Sequence, residues 1–416
     1  MPGDGTKLAI TSNSPPARLL DISRLIRRAG RLPTGIDRVE RAYLRHLLSR
    51  PEPLFALART TLGYVLLDGR GAAGIAERIE GALPWGTADR LSLLARGKPE
   101  PVRRAESDLR RLALDRGRPN RLTATLAKHL PSGVAYLNVG HSNLTDRTLW
   151  AVRHGAQGRI AVMIHDTIPL DFPQLQRPGT PETFRGLLRR VRARADLVIH
   201  TTEATRTGNE AHMAAWGPVP AGVVAPLGVP VPVPDPSSIP TGLDLGRPYF
   251  VILGTIEPRK GHDLLLDIWQ AMARDRPAGE VPGLLICGAR GWVGRDVLDR
   301  LDGLAPDGPV RELPDLGDGA VAALLSGARA LLFPSRAEGF GLPPMEAASL
   351  GVPVLASDLP SLREILREFP VYVANPDPYQ WRDKIEALAQ GHGARPGEAV
   401  VPPGWEAHFN TVLRLT

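Results

Sequence analysis

Short apolar runs alternate along the chain with longer segments in which apolar residues recur at helical spacing. This alternation is typical of a parallel β-sheet whose two faces are covered by helices. In the first half, the runs that predict strands are ARLLDIS, GYVLLD, VAYLNVG, RIAVMIHD, DLVIH and GVVAPLG. The second half repeats the scheme with YFVILGT, GLLICGA, ARALLFPS, VPVLASD and PVYVAN. The pattern therefore predicts an α/β protein with two such sheets.

A proline-rich stretch, VPVPVPDPSSIPTG at 229–242, separates the two sets of strands. Proline has no N–H group to donate to a β-ladder, so this composition favours an extended connector. We therefore predict an N-terminal domain over residues 1–230 and a C-terminal domain over residues 231–402. Residues 403–416 predict a terminal helix, for which packing on the N-terminal domain is one option. Its large side chains at helical spacing are Trp405, His408, Phe409 and Leu413.

The length and the cysteine content agree with a two-domain intracellular protein. At 416 residues the chain exceeds what one hydrophobic core normally serves. A single cysteine, Cys287, excludes a disulfide framework and a cysteine-based metal cluster, which favours the cytoplasm. The first 20 residues lack the apolar core of a signal peptide, and no run reaches the roughly 20 apolar residues of a membrane span. We expect a soluble or peripheral protein.

The net charge is +7, and arginines cluster in the first half, including a stretch at 99–121 with a helical pattern. The clusters are Arg24, Arg27, Arg28 and Arg31; Arg103, Arg104, Arg110 and Arg111; and Arg185, Arg189, Arg190, Arg192 and Arg194. They are either solvated helix faces or a surface for an anionic partner such as a membrane or a phosphate-linked acceptor. Aromatic residues total only 5%, and no nucleic-acid-binding motif occurs, which argues against nucleic acid.

The run FPSRAEGFGLPPMEAASLGVPVLASD, residues 333–358, predicts a strand, a glycine-rich turn and a helix that begins near Pro343. Backbone amides of the turn would meet at a helix N-terminus, which suits an anion or a hydroxyl group. These amides belong to Gly339, Phe340 and Gly341. Two carboxylates, Glu338 and Glu346, flank the turn. The plainer interpretation is that the glycines only form a tight turn and that Glu346 complements the helix dipole.

The segment YFVILGTIEPRKGHDLLL predicts a strand, a loop from Gly254 to Gly261 and a helix from His262. Arg259 and Lys260 precede this helix, so two cations and free backbone amides face one region. That combination suits a diphosphate. A charged surface loop is the alternative.

Polar side chains also follow two strands of the first half. His165 and Asp166 end the run RIAVMIHD, and His141 and Asn143 follow VAYLNVG. Open parallel sheets present ligands at the carboxyl ends of their strands. For His165, the alternative is a capped strand end with a satisfied histidine.

Three glycines after GYVLLD match a dinucleotide-binding pattern, G-x-G-x-x-G: Gly69, Gly71 and Gly74. A true fingerprint is followed by a second strand, whereas IEGALPWGTADR follows here. We therefore predict a glycine-rich hairpin or loop at this place.

The EPRKG loop and the E-x7-E element from Glu338 to Glu346 together resemble glycosyltransferase family 4. The segment HDTIPLDFP and the strand, Gly35 loop and helix near the N-terminus are similar to segments of the same family. The resemblance implies the GT-B fold, in which two Rossmann-like parallel-sheet domains face each other across a cleft.

The family also implies roles for single residues. Arg259 and Lys260 would hold the donor diphosphate, Glu346 the ribose, and Glu338 the donor sugar. The predicted catalytic residues are Glu338, Arg259, Lys260 and His165. The predicted donor-binding residues are Gly35, Gly254, Thr255, Arg259, Lys260, Phe340, Gly341, Leu342 and Glu346. The predicted acceptor-binding residues are Asp166, His141 and Asn143.

The resemblance implies a retaining glycosyltransferase that uses a nucleotide sugar as substrate and needs no metal or other cofactor. HDTIPLDFP and ASDLPSLREIL look like segments of bacterial mannosyl- and rhamnosyltransferases, which favours a GDP-mannose-like donor. The acceptor would be a glycan or a lipid-linked oligosaccharide, reached in the cytoplasm or at the inner face of the cytoplasmic membrane. The alternatives are a sugar-nucleotide epimerase or phosphorylase on the same scaffold, or a basic nucleic-acid-binding protein.

Overall fold

Each half of the chain is built around one β-sheet. The computed structural model describes residues 14–374, 377–392 and 398–416. The first 13 residues, for which no signal peptide is predicted, lie outside the described residues. The N-terminal strands are β1 (Arg18–Asp21), β2 (Leu54–Thr60), β3 (Gly63–Leu67), β4 (Asp115–Gly117), β5 (Ala135–Asn138), β6 (Arg159–Ile164), β7 (Leu197–His200) and β8 (Ala221–Val224). They form one sheet in the order β4-β3-β2-β1-β5-β6-β7-β8.

The second sheet has six strands, which pair in parallel. They are β9 (Tyr249–Leu253), β10 (Gly283–Cys287), β11 (Val310–Leu313), β12 (Ala330–Phe333), β13 (Val354–Ser357) and β14 (Val371–Val373). Their order is β11-β10-β9-β12-β13-β14. The sequence pattern predicted five of these strands and missed β11.

Helices cover both sheets. In the N-terminal half they are α1 (Ser23–Arg27), α2 (Gly35–Leu48), α3 (Gly69–Ile79), α4 (Glu100–Arg111), α5 (Leu122–His129), α6 (Asp146–Gly155), α7 (Ile168–Asp171), α8 (Thr180–Arg194) and α9 (Glu203–Ala214). After β9 they are α10 (His262–Asp275), α11 (Arg295–Asp302), α12 (Asp318–Gly327), α13 (Leu342–Ser349), α14 (Pro360–Leu366), α15 (Pro378–Ala389) and α16 (Trp405–Val412). Both faces of each sheet are buried: Leu19 and Leu20 pack into apolar clusters on opposite sides, as Phe250 and Val251 do.

One edge of the N-terminal sheet differs from the all-parallel prediction. The strand β2, which the sequence analysis missed, pairs with β3 in an antiparallel hairpin, and β4 continues the antiparallel edge. Gly63 ends the hairpin turn with φ +126°, and a Cβ there would lie 2.4 Å from the Gly117 carbonyl oxygen. Only glycine fits this backbone and this close approach. The segment 99–121, predicted to be helical, is helical only up to Arg111 before it turns into β4.

The prediction of a glycine-rich loop at Gly69, Gly71 and Gly74 is wrong, because all three lie in α3. Asp68 caps this helix by accepting a hydrogen bond from the Gly71 amide. The glycines allow close packing: a Cβ at Gly71 would lie 2.6 Å from the Leu112 carbonyl oxygen. Helix capping and this contact outweigh the low helix propensity of glycine.

The last helix, α16, packs on the N-terminal half. The His408 Nε2 atom lies 2.7 Å from the Tyr43 hydroxyl group, and Phe409 stacks on the His46 ring at a centroid distance of 3.8 Å. The Val229 amide donates a hydrogen bond to the Pro403 carbonyl oxygen at 2.9 Å. The chain thus leaves the N-terminal half through the proline-rich connector and returns to it at its end. Within the described ranges, no helix has both the length and the apolar character needed to cross a bilayer.

Candidate functional site

The turn between β12 and α13 carries two carboxylates and a helix N-terminus. Helix α13 begins directly after Gly341, whose φ of +93° favours glycine. Glu338 lies in the turn, and Glu346 lies on the helix with a side chain only 10% exposed. Phe340 and Gly341 directly precede this helix, so their N–H groups lie at its positive end, where an anion or a hydroxyl is favoured.

Arg259 and Lys260 meet the Glu338 carboxylate at one buried point. The Arg259 Nη1 and Lys260 Nζ atoms lie 2.9 and 2.6 Å from the same Glu338 oxygen, Oε1. Burial alone would raise the pKa of Glu338, but the charges of Lys260 and Arg259 outweigh it and hold the pKa below its usual value. Two cations and an ionised carboxylate therefore stand beside the N-termini of α10 and α13.

Two glycines bring the backbone of this loop close to its neighbours. Gly261 has φ +74°, and a Cβ there would lie 2.4 Å from the Pro334 carbonyl oxygen. Gly254 has φ +139°, and a Cβ there would lie 3.6 Å from the Lys260 Cε atom. Thr255 follows Gly254 directly and is half-buried. Both glycine positions require glycine to hold the cationic loop against the sheet.

The end of β6 lies directly across from this turn. A Cβ built on Gly339 would lie 2.1 Å from the His165 carbonyl oxygen and 2.9 Å from the Asp166 Cβ atom. Burial raises the pKa of Asp166, the Arg259 charge opposes this, and Glu338 adds to it. The structure thus brings the predicted residues Asp166 and His165 together with Glu338 and Arg259.

The two histidines near the cleft are held as neutral rings. His165 Nε2 lies 2.7 Å from the Val139 carbonyl oxygen, and His141 Nε2 lies 2.9 Å from the Met163 carbonyl oxygen. Because a carbonyl only accepts, each Nε2 carries the proton and each Nδ1 is an acceptor. Burial lowers the pKa of His165 to about 4 and that of His141 to about 3. Neither ring carries a charge at neutral pH.

Gly35 and Asn143 occupy different surroundings. Gly35 is the first residue of α2, and a Cβ there would lie 3.1 Å from the Leu342 Cδ1 atom, so this helix start faces α13. The Asn143 amide donates to Asp21 Oδ2 at 2.7 Å and accepts from the Thr148 hydroxyl at 2.9 Å. Both ends of the Asn143 side chain are therefore bound inside the N-terminal half.

Comparison with known proteins relates this geometry to a family. Residues 237–395, which include both cations and both carboxylates, match the family described as glycosyl transferases group 1. The second half of the chain is thus similar to the group 1 glycosyltransferases. The family predicted from the sequence is thereby confirmed.

Two relatives of this chain are mannosyltransferases from Escherichia coli. The serotype-specific mannosyltransferase WbdA is 30% identical over 238 residues, which cover 54% of this chain and 29% of WbdA. O-antigen chain mannosyltransferase B is 36% identical over 118 residues, 28% of this chain and 30% of the relative. The matched region thus spans less than a third of either protein's length.

A solved structure with the same architecture is that of HepE from Anabaena in complex with UDP-glucose. It has a TM-score of 0.60 and 16% identity, and the match covers 90% of each chain. The GT-B fold predicted for this chain is confirmed. The roles assigned to single residues remain predictions.

The sequence analysis missed a residue that crosses the cleft. Arg38 of α2 places its Nη1 atom 2.6 Å from Glu346 Oε1 and its Nη2 atom 2.7 Å from Asp318 Oδ1. Arg38 belongs to none of the arginine clusters seen in the sequence, and its partners lie 308 and 280 positions away. No local pattern could have indicated this pairing.

A second set of missed residues holds the Gly339 carbonyl oxygen. It accepts hydrogen bonds from three hydroxyl groups at 3.1–3.3 Å: those of Thr201, Thr202 and Thr205. Beside them, the Glu364 carboxylate accepts from the Glu203 and Ala204 amides at the start of α9 at 2.7 and 3.1 Å. The run TTEAT directly follows β7, so the rule that linked His165 to a strand end could also have found these threonines.

Proposed function

We propose that this protein is a retaining glycosyltransferase that moves a hexose from a nucleotide sugar to a hydroxyl group of a glycan or a lipid-linked oligosaccharide. We favour GDP-mannose as the donor and bacterial polysaccharide synthesis as the setting. The observation that carries the proposal is the convergence of Arg259 and Lys260 on Glu338, next to two helix N-termini. The two mannosyltransferase relatives support the choice of sugar.

The chemistry follows from where charge develops. When the bond between the sugar C1 and the diphosphate oxygen breaks, negative charge grows on the nucleoside diphosphate. Arg259, Lys260 and the amides of Phe340 and Gly341 are fixed before the reaction, so they stabilise this charge without reorganising. Glu346 would accept hydrogen bonds from the ribose hydroxyl groups.

Retention of configuration requires attack on the face that the leaving group departs from, or a covalent intermediate. Glu338 is a poor nucleophile, because Arg259 and Lys260 both bind its Oε1 atom. We therefore favour attack by the acceptor hydroxyl on the leaving-group face. The new bond joins the acceptor oxygen to C1, the acceptor proton passes to a diphosphate oxygen, and the nucleoside diphosphate leaves.

The N-terminal half offers polar groups for the acceptor. Asp166 lies next to the donor turn, and the neutral ring of His165 presents Nδ1 as a hydrogen-bond acceptor. His141 lies behind it at a ring-centroid distance of 5.0 Å. These residues suit the recognition of sugar hydroxyl groups rather than proton transfer by an imidazolium.

A thermal-shift screen against GDP, UDP, dTDP, ADP, NAD and NADP, without added metal, tests the proposal. A ligand that binds only the folded state raises the melting temperature by mass action. We expect a selective shift with one nucleoside diphosphate, GDP in the first place. A shift with NAD or NADP alone, or with none of the six, would contradict the proposal.

We also propose that the protein works in the cytoplasm, where it docks on an anionic membrane surface through a basic face on α6 and α8. This face consists of the exposed residues Arg147, Trp150, Arg189 and Arg194. The two helices are neighbours, since Arg190 of α8 donates to the Leu144 carbonyl oxygen before α6 at 2.9 Å. A tryptophan among arginines suits the interface of an anionic bilayer.

Flotation with anionic liposomes tests the basic face. We expect binding at low salt that is lost at high salt, because screening weakens exposed charges. Replacing both Arg147 and Arg194 by glutamate should abolish it. Replacing the exposed C-terminal residues Arg274 and Arg295 by glutamate is the matched control and should preserve it. Recovery in the soluble fraction at both salt concentrations would contradict membrane docking.

A further inference from the structure

Arg38 connects the N-terminal half directly to the carboxylate that we assign to the ribose. It projects from the first turns of α2, and its guanidinium group binds Glu346 on α13 and Asp318 at the start of α12. The Glu346 side chain is 10% exposed and that of Asp318 is 79% exposed. The buried carboxylate of Glu346 therefore depends far more than the exposed carboxylate of Asp318 on the positive charge of Arg38, which offsets its loss of hydration.

Glu346 can best accept hydrogen bonds from ribose hydroxyl groups in its ionised form. An ionised carboxylate offers about four acceptor positions, so it can keep Arg38 on Oε1 and still accept hydrogen bonds from ribose hydroxyl groups. A protonated carboxyl group becomes a donor on one oxygen and keeps only part of this acceptor capacity. Keeping the buried Glu346 ionised therefore favours the proposed contact with the ribose.

The charges around Glu346 come from two neighbouring elements. Burial raises the pKa of Glu346, Arg38 of α2 opposes this rise, and Asp318 of α12 adds to it. Arg38 thus supplies the compensating positive charge, and it comes from the opposite side of the cleft.

We propose that Arg38 is a positioning residue for the donor nucleotide, which keeps Glu346 ionised and oriented toward the ribose and so couples nucleotide binding to the approach of the N-terminal half. This inference rests on the proposed function. According to this proposal, part of the affinity for the nucleotide comes from Arg38, which lies in the N-terminal half, whereas the nucleotide site is proposed in the C-terminal half.

Calorimetric titration of GDP between about pH 5.5 and 8.5 tests this role. Four variants are compared with the unmodified protein: Arg38→Met, Arg38→Lys, Glu346→Gln and Arg45→Met. Arg45 is the matched control, since it lies on the same helix and pairs at the surface with Glu80 at 2.7 Å. Dividing each Kd by that of the unmodified protein at the same pH removes the titration of GDP itself.

We expect Arg38→Met to weaken GDP binding at least about tenfold at the acid end of the pH range. The affinity of this variant for GDP should approach that of the unmodified protein as the pH rises. Loss of a neighbouring cation raises a carboxyl pKa by roughly 1 to 3 units, and one unit below its pKa only about a tenth of the group is ionised. Arg38→Lys should keep the Kd ratio nearly independent of pH. Glu346→Gln should weaken binding at every pH, and Arg45→Met should leave it unchanged.

An unchanged Kd for Arg38→Met, or a loss by the same factor at every pH, would overturn the inference and leave the proposed function standing. Failure of the unmodified protein to bind GDP, UDP, dTDP or ADP would contradict the proposed function and the inference with it. Circular dichroism and the melting temperature show whether each variant is folded. Arg38 is 38% exposed, so its replacement leaves the core intact.

Discussion

Arg259 and Lys260 differ in the way each brings its charge to the Glu338 carboxylate. The planar guanidinium of Arg259 also binds Glu257 through Nε at 3.2 Å and the Ala337 carbonyl oxygen through Nη1 at 3.2 Å. The Lys260 ammonium lies 4.9 Å from the centroid of the Phe333 ring and contacts Glu338 as a point charge. Neither residue can replace the other. The position of Arg259 needs a planar guanidinium with several donors, whereas that of Lys260 needs a single ammonium group on a narrow, buried alkyl chain.

Single substitutions of either cation should lower turnover strongly. We expect Arg259→Ala and Lys260→Ala each to reduce the release of nucleoside diphosphate from the donor by about 10²- to 10³-fold, the usual effect of removing one transition-state donor. Lys384→Ala is the control, since Lys384 is exposed on α15. If Arg259→Ala and Lys260→Ala keep the full turnover that Lys384→Ala also shows, then these two cations do not stabilise the leaving group.

At the scale of elements, the turn between β12 and α13 depends on its contact with the N-terminal half. Gly339 lies against the end of β6 on one side, and its carbonyl oxygen accepts from the threonines that begin α9. The Glu364 carboxylate of α14 binds the first amides of α9, where a negative charge also complements the helix dipole. Contacts between the two halves thus fix the position of the turn that carries Glu338.

Gly339→Ala tests this contact. A Cβ at this position would lie 2.1 Å from the His165 carbonyl oxygen, so the turn and β6 must move apart. We expect a clear loss of donor turnover and a larger radius of gyration in small-angle scattering. Gly97→Ala is the matched control, because a Cβ there meets nothing within 4 Å. Equal behaviour of the two variants would mean that the domains need not meet at Gly339.

Most elements could be predicted because their signals are local. Runs such as RIAVMIHD and YFVILGT identify buried parallel strands by composition alone, and Gly341 followed by prolines predicts a helix start. The strand β3 was predicted, but its antiparallel pairing with β2 was missed because the direction of pairing depends on the partner strand. The helix α3 was missed because two of its glycines, Gly71 and Gly74, are explained by packing on Leu112, about 40 positions away.

The candidate site shows the same division between local and distant signals. Glu338, Glu346, Arg259 and Lys260 each follow a strand or begin a helix, so their positions relative to the sheet could be predicted. The pairing of Arg38 with Glu346 could not, because it joins two domains and leaves no periodic pattern in the sequence. Contacts across a cleft arise only when the two halves meet in the folded protein.

At the scale of the whole molecule, α16 ties the end of the chain to the N-terminal half through His408. Its Nδ1 atom lies 3.1 Å from the Ala225 carbonyl oxygen, and its Nε2 atom lies 2.7 Å from the Tyr43 hydroxyl. Burial lowers the pKa of His408 to about 4, although the Pro226 and Ala225 carbonyl oxygens oppose this. The buried ring is therefore neutral in the folded protein at neutral pH.

This lowered pKa makes the contribution of His408 to stability depend on pH. Between about pH 6.5 and pH 4 the unfolded chain binds a proton that the folded ring does not, so stability falls as the pH falls, by up to about 1.4 kcal/mol per pH unit. We expect the destabilisation caused by His408→Gln, measured by urea unfolding, to be largest near pH 7 and to shrink toward pH 4. If the free energies of unfolding of the variant and the unmodified protein differ by the same amount across this range, the His408 ring has the same pKa in the folded and the unfolded protein.

The most direct test of the donor site is a calorimetric titration of GDP into the unmodified protein, the Arg259→Ala/Lys260→Ala double variant and the Lys384→Ala control. Because the diphosphate is proposed to bind Arg259 and Lys260, we expect the double variant to lose measurable binding while the control retains the affinity of the unmodified protein. Binding of GDP that is equally tight in all three proteins would contradict a donor site between the EPRKG loop and α13.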